Sequence, residues 1–99
     1  MDECTGETWL FTAHAEDAEL AYLVVDSAIS PSRWIKMRPI ESVPGAWRAV
    51  TELSPGLNRV RYFVVEDGAY LNCGTVGLTG ERTSANDPAV QIENLDLAA

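Results

Sequence analysis

A few aromatic and cationic side chains in this sequence have the types and spacing for chemistry, and that chemistry is binding rather than turnover. Trp34 lies in RWIKMRP (33–39), where alternation sets Trp34, Lys36 and Arg38 against Ile35 and Met37. Arg61 lies in LNRVRYFVV (57–65), with Val60, Tyr62 and Val64 on one face and Arg59, Arg61, Phe63 and Val65 on the other. Tyr70 opens the strand that comes directly after the Asp67-Gly68 reversal. A flat ring removes apolar area from water at roughly 25 cal/mol per Å², and a guanidinium offers fixed hydrogen-bond donors. A sugar ring uses both, through its apolar C–H faces and its rim of hydroxyls. Trp34, Arg61 and Tyr70 are therefore the candidate glycan-binding residues, with Lys36 and Arg38 as flanking contacts. The competing reading of each is structural: a core tryptophan, or a strand arginine whose stem covers apolar neighbours.

Residues for catalysis or metal binding are sparse. His14, the only histidine, ends a strand-like run with no nucleophile motif beside it, and there is no G-x-S-x-G, H-E-x-x-H or Gly-rich phosphate loop. The acidic pairs Glu16-Asp17 and Glu66-Asp67 fall where turns are expected, and SANDP lacks the oxygen spacing of a calcium loop. The expectation is a protein that is not an enzyme and holds no cofactor or metal. Fifteen acids against seven bases give a net charge of −8, which repels phosphate backbones and anionic lipid. That points away from nucleic acid and membranes and leaves a neutral polysaccharide or a protein as partner. Cys4 and Cys73 fit no metal or redox spacing, so they read as free thiols of a cytoplasmic protein, with one disulfide in an exported domain as the alternative. No apolar run is long enough to span a bilayer, and the opening MDECTGE is acidic where a secretory signal is basic.

The elements that must position these residues are strands. Ninety-nine residues, 46% hydrophobic, make one small domain over 1–99 with its core between 8 and 95. Period-two runs dominate: TWLFTAH (8–14), ELAYLVVD (19–26), RWIKMRP (33–39), AWRAVTEL (46–53), 57–65, AYLN (69–72) and AVQIENL (89–95). SAISPSR (27–33), ESVPG (41–45) and CGTVGLTGERTSAND (73–87) read as loops, and Asp67-Gly68 as a tight hairpin reversal. About seven short antiparallel strands separated by frequent turns predict an all-β sandwich, with Trp9, Leu23, Trp47, Val60, Tyr62 and Val64 inside.

The segment WRAVTELSPGLNRVRYFVVEDGAY (47–70) resembles the core of the glycogen-binding modules of the AMP-activated protein kinase β-subunit, isoamylases and glycogen-branching enzymes. Leu53 and Gly56 match that family's leucine-x-x-glycine turn. Arg61 falls on its strand lysine, Tyr62 on its phenylalanine, and Tyr70, after two extra residues, on a tryptophan. Upstream, AYLVVD resembles its valine-tyrosine-leucine strand, and Trp34 falls on the tryptophan that ends its asparagine-containing loop. The resemblance covers roughly residues 8 to 70. It implies an immunoglobulin-like, early-set β-sandwich that binds α-glucan such as glycogen or starch, stacking on Trp34 and Tyr70 with Arg61 on the hydroxyls. The alternative is a protein-interaction or spacer domain of a glucan-metabolising enzyme with no glycan site of its own.

Overall fold

A computed structural model describes residues 7–27, 30–83 and 90–93. Among these the chain is all-β: β1 (Glu7–His14), β2 (Leu20–Ser27), β3 (Ser30–Lys36), β4 (Arg38–Pro39), β5 (Ala46–Leu53), β6 (Gly56–Glu66), β7 (Ala69–Gly74), β8 (Leu78–Arg82) and β9 (Val90–Glu93). They form two packed sheets, so the expected β-sandwich is what the chain adopts. The back sheet has the order β4-β5-β1-β8, and the front sheet β3-β2-β6-β7, with β9 also on β6. Pairing is antiparallel except for β9, which runs parallel to β6 along residues 56–59, while β7 takes the same edge of β6 along 62–66.

The expected core is inside. Trp9, Phe11 and Ala13 from β1, Trp47, Ala49 and Leu53 from β5, Ala21, Leu23 and Val25 from β2, and Val60, Tyr62 and Val64 from β6 are all buried. Each set lies at period two, the spacing that sends alternate side chains to one face. The Trp47 indole N–H donates to the Ala15 carbonyl at 3.3 Å, which satisfies a polar group carried inward by a large ring. The Tyr62 hydroxyl donates to the carbonyl of Val76 and lies 3.4 Å from that of His14, tying β6 to the β7–β8 turn and the end of β1. Burial raises the Tyr62 phenol above its ordinary value, and the neighbouring Cys73 thiol adds to the rise.

Three sequence expectations change. Of the stretch 27–33, read as a loop, the described residues belong to strands: β2 continues to Ser27 and β3 begins at Ser30. The stretch 73–87, read as a loop from its glycines and threonines, contains β8, which completes the back sheet by pairing with β1 from Trp9–Arg82 to Ala13–Leu78. The run 33–39 is two strands, because the chain passes at Met37 from the front sheet to the back sheet. These additions raise the strand number from seven to nine among the described residues. Cys4, the end of the 73–87 segment and the flanks of β9 lie outside the described residues; Cys73 is a half-buried free thiol.

Two turns fix the register of β6. At its start, Ser54 and Pro55 carry the chain between sheets, Gly56 sits at φ +97°, and the buried Asn58 amide donates to the carbonyls of Ser54 at 2.8 Å and Gly56 at 3.1 Å. At its end, Asp67 and Gly68 both have positive φ, +53° and +78°, between the paired Glu66 and Ala69. This is the type I′ geometry whose twist suits a two-residue hairpin. A Cβ on Gly68 would meet nothing within 4 Å, so Gly68→Ala isolates the backbone cost of the left-handed conformation. The variant should lose about 1 kcal/mol of unfolding free energy, read as a lower urea midpoint at unchanged slope. An unchanged midpoint would show that the turn does not hold the hairpin.

Candidate functional site

The outward faces of the two sheets differ in kind. The back sheet presents Thr12, Arg48, Glu52, Thr79 and Glu81 around Leu10 and Val50, the polar mixture expected where a sandwich meets water. The front sheet instead gathers four aromatic rings. Register builds them in rows across the strands: Trp34–Val24–Arg61, then Lys36–Tyr22–Phe63–Asn72, then Leu20–Val65–Tyr70. Paired residues in a ladder project to the same side, so these rows share the outer face.

The rings touch across the rows. Trp34 lies 4.9 Å from Phe63 in a tilted arrangement, 6.0 Å from Tyr22 edge-on and 6.3 Å from Tyr70 at an interplanar angle of 78°. Tyr22 and Tyr70 stack at 6.2 Å and 26°. These are the offset and edge-to-face geometries that aromatic quadrupoles favour. Val24 and Val65, although they face outward, are 0% and 8% exposed beneath the rings. Trp34 and Tyr70 remain 51% and 60% exposed, so their outer surfaces are open to a ligand.

Arg61 stands beside this cluster. Its guanidinium carbon is 5.8 Å from the Phe63 centroid, and one Nη donates to Asp26 Oδ2 in an ion pair. The Ser32 hydroxyl donates to the other carboxylate oxygen, at the point where β3 carries an extra residue relative to β2. The Ser32 hydrogen bond lowers the Asp26 pKa most; Arg61 and Arg59 add to this, against the opposing effect of burial. Arg61 is thus both a structural ion-pair partner and a donor with further N–H groups to offer.

Trp34, Arg61, Tyr70 and Lys36 therefore come together on one face, and Arg38 does not. Beyond Met37 the chain is in the back sheet, where Arg38 pairs with Arg48. Alternation through 33–39 holds only while the chain stays in one sheet, and the Met37 N–H bond to the Ala21 carbonyl at 2.8 Å marks the crossing. Tyr22 and Phe63 were not singled out from sequence. Phe63 falls on the Arg61 face by alternation alone, but its contact with Trp34 depends on how β3, β2 and β6 align.

A lowered Asp26 pKa means that its stabilising contribution is complete above the ordinary value of 3.8 and is lost as pH falls through the folded-state value. Asp26→Asn should therefore be less stable than wild type at neutral pH by up to about 1 kcal/mol, the range of a partly exposed ion pair. That gap should close in urea titrations below pH 3.8. A gap that persists in acid would assign the loss to packing instead of charge. Comparison with known proteins returns no matching family model, no matching curated protein and no matching solved structure.

Proposed function

We propose that the chain is a non-catalytic, immunoglobulin-like carbohydrate-binding module, and that the outer face of the front sheet binds an α-glucan such as glycogen or starch. The observation that carries this reading is the pair of half-open rings, Trp34 and Tyr70, held at 78° on a sheet face that otherwise should be polar. Two rings at a steep angle form a corner. An α-linked glucan curves along its length, so successive sugar units can lay their C–H faces on the two walls of such a corner. Arg61 at one side and Lys36 at the other supply donors to the rim hydroxyls. Tyr22 and Phe63 back the exposed rings and hold their orientation before ligand arrives, which lowers the ordering cost of binding. A neutral ligand feels no repulsion from the net charge of −8. The free, half-buried thiol of Cys73 fits a reducing, cytoplasmic setting.

Trp9 and Trp47 are buried, so a change in tryptophan emission on adding ligand reports chiefly on Trp34. Maltoheptaose should shift and saturate that emission. Stacking on one aromatic ring is worth about 1–3 kcal/mol in the analogous case of nucleic-acid bases. Trp34→Ala, followed by amide spectra, should accordingly weaken binding about tenfold or more, at 1.4 kcal/mol per decade, and Tyr70→Ala by a similar or smaller factor. Val50→Ala, on the opposite sheet, should bind as wild type. No response from wild type, or equal binding by all variants, would leave a protein-interaction or spacer domain as the better reading.

A further inference from the structure

The arrangement of the cations points to a second site. Four of the seven Lys and Arg side chains are engaged. Arg33 donates to Thr51 Oγ1 and the Glu52 carbonyl, Arg61 pairs with Asp26, Arg59 faces Asp26 across the ladder, and Arg82 lies 5.5 Å over the Trp9 ring. The other three, Lys36, Arg38 and Arg48, make no ion pair with an acid among the described residues, although acids outnumber bases two to one in the chain. They are not scattered. All three line one cleft of about 260 Å³ between the β3 edge and the β4–β5 edge, with Ile35, Ala49 and Val50 as its apolar walls. Arg38 also lines the two neighbouring clefts.

Arg38 and Arg48 are moreover direct partners in the β4–β5 ladder. Like charges placed opposite each other in a sheet repel, so this pairing costs stability in the isolated chain. A doubly charged oxyanion between the two guanidinium groups reverses the sign of that interaction, because each can present parallel N–H donors to two of its oxygens. Ile35 and the buried Ala49 give the cleft an apolar floor on one side, while Val50 and the three cations stay open to solvent. We propose that this cleft is a binding site for a single phosphate or sulfate group, held by Arg38 and Arg48 with Lys36 as the third charge. Glu19 and Glu41 line the two neighbouring clefts and oppose the anion, but neither lines this one, and charges more than a screening length of about 8–10 Å away contribute little. An extended polyanion would meet the acidic remainder of the surface. The site is separate from the aromatic corner: it contains neither Trp34 nor Tyr70, and Lys36 alone lies between the two.

The test is an amide chemical-shift titration of the whole chain with sodium phosphate and sodium sulfate against sodium chloride at matched ionic strength. Saturable shifts are expected at residues 35–39 and 47–50 with the oxyanions and not with chloride. Arg38→Gln and Arg48→Gln should each weaken phosphate binding by about tenfold or more, while Trp34→Ala should titrate as wild type even if glucan binding is lost. Without anion, the two glutamine variants should melt no lower than wild type, because each removes a repulsion. Added phosphate should raise the melting temperature of wild type only. Comparing glucose 6-phosphate with inorganic phosphate identifies the source, an ester if the former binds more tightly and the free ion if the latter does. Shifts that chloride reproduces, shifts spread equally over Arg59, Arg61 and Arg82, binding unaffected by both glutamine variants, or a lowered melting temperature in both would each overturn the proposal.

Discussion

A slip of β6 by one residue would send Arg61 and Phe63 into the core and turn Val60, Tyr62 and Val64 out to solvent, because successive side chains of a regular strand point to opposite faces. Both faces of the front sheet therefore depend on that register. It is pinned at the start of β6 by the Asn58 amide on the Ser54 and Gly56 carbonyls, and at its end by the positive-φ pair Asp67 and Gly68. Between them the Tyr62 hydroxyl reaches the Val76 carbonyl, an anchor available only when Tyr62 points inward. With β6 in place, β2 follows on one edge, and β7 and β9 divide the other. The aromatic face is thus a consequence of core packing on the reverse side of the same strand.

That dependence explains what could be read from local sequence. Alternation in 8–14, 46–53 and 57–65 is clean, so the inward positions of Trp9, Trp47, Val60, Tyr62 and Val64 were legible, as was the reversal at Asp67-Gly68. Trp34, Arg61 and Tyr70 could be assigned to outer faces for the same reason. Tyr22 could not, because β2 is apolar on both sides: Ala21, Leu23 and Val25 point inward, and Val24 is equally buried under the rings outside. A strand covered on two faces loses the alternating signal. Nor does local pattern contain the ion pair of Asp26 with Arg61, since the two residues lie 35 apart in the chain and meet through the β2–β6 ladder.

The misreadings at β8 and at Arg38 have distinct causes. β8 is polar and carries Gly80, so its composition argues for a loop, yet its backbone groups complete a ladder with β1 and Leu78 fills the core. Long-range pairing overrides weak strand propensity there. A period extended through Met37 puts Arg38 with Trp34, but the chain changes sheets there. Met37 is 1% exposed and belongs to the core shared by both layers, so the break in periodicity is disguised as one more apolar position.

The extra residue in β3, at Pro31 and Ser32, also bears on how the molecule lives in a crowded solution. β3 is an outermost strand of the front sheet, next to a face rich in aromatic rings. A flat, open border beside a sticky surface invites copies to add on strand by strand into a growing ribbon. Proline has no N–H to offer a newcomer, and the irregular spacing around it bends the border out of the alignment that such growth requires. The same segment that positions Ser32 on Asp26 thereby opposes strand addition at the border beside the exposed tryptophan and tyrosine.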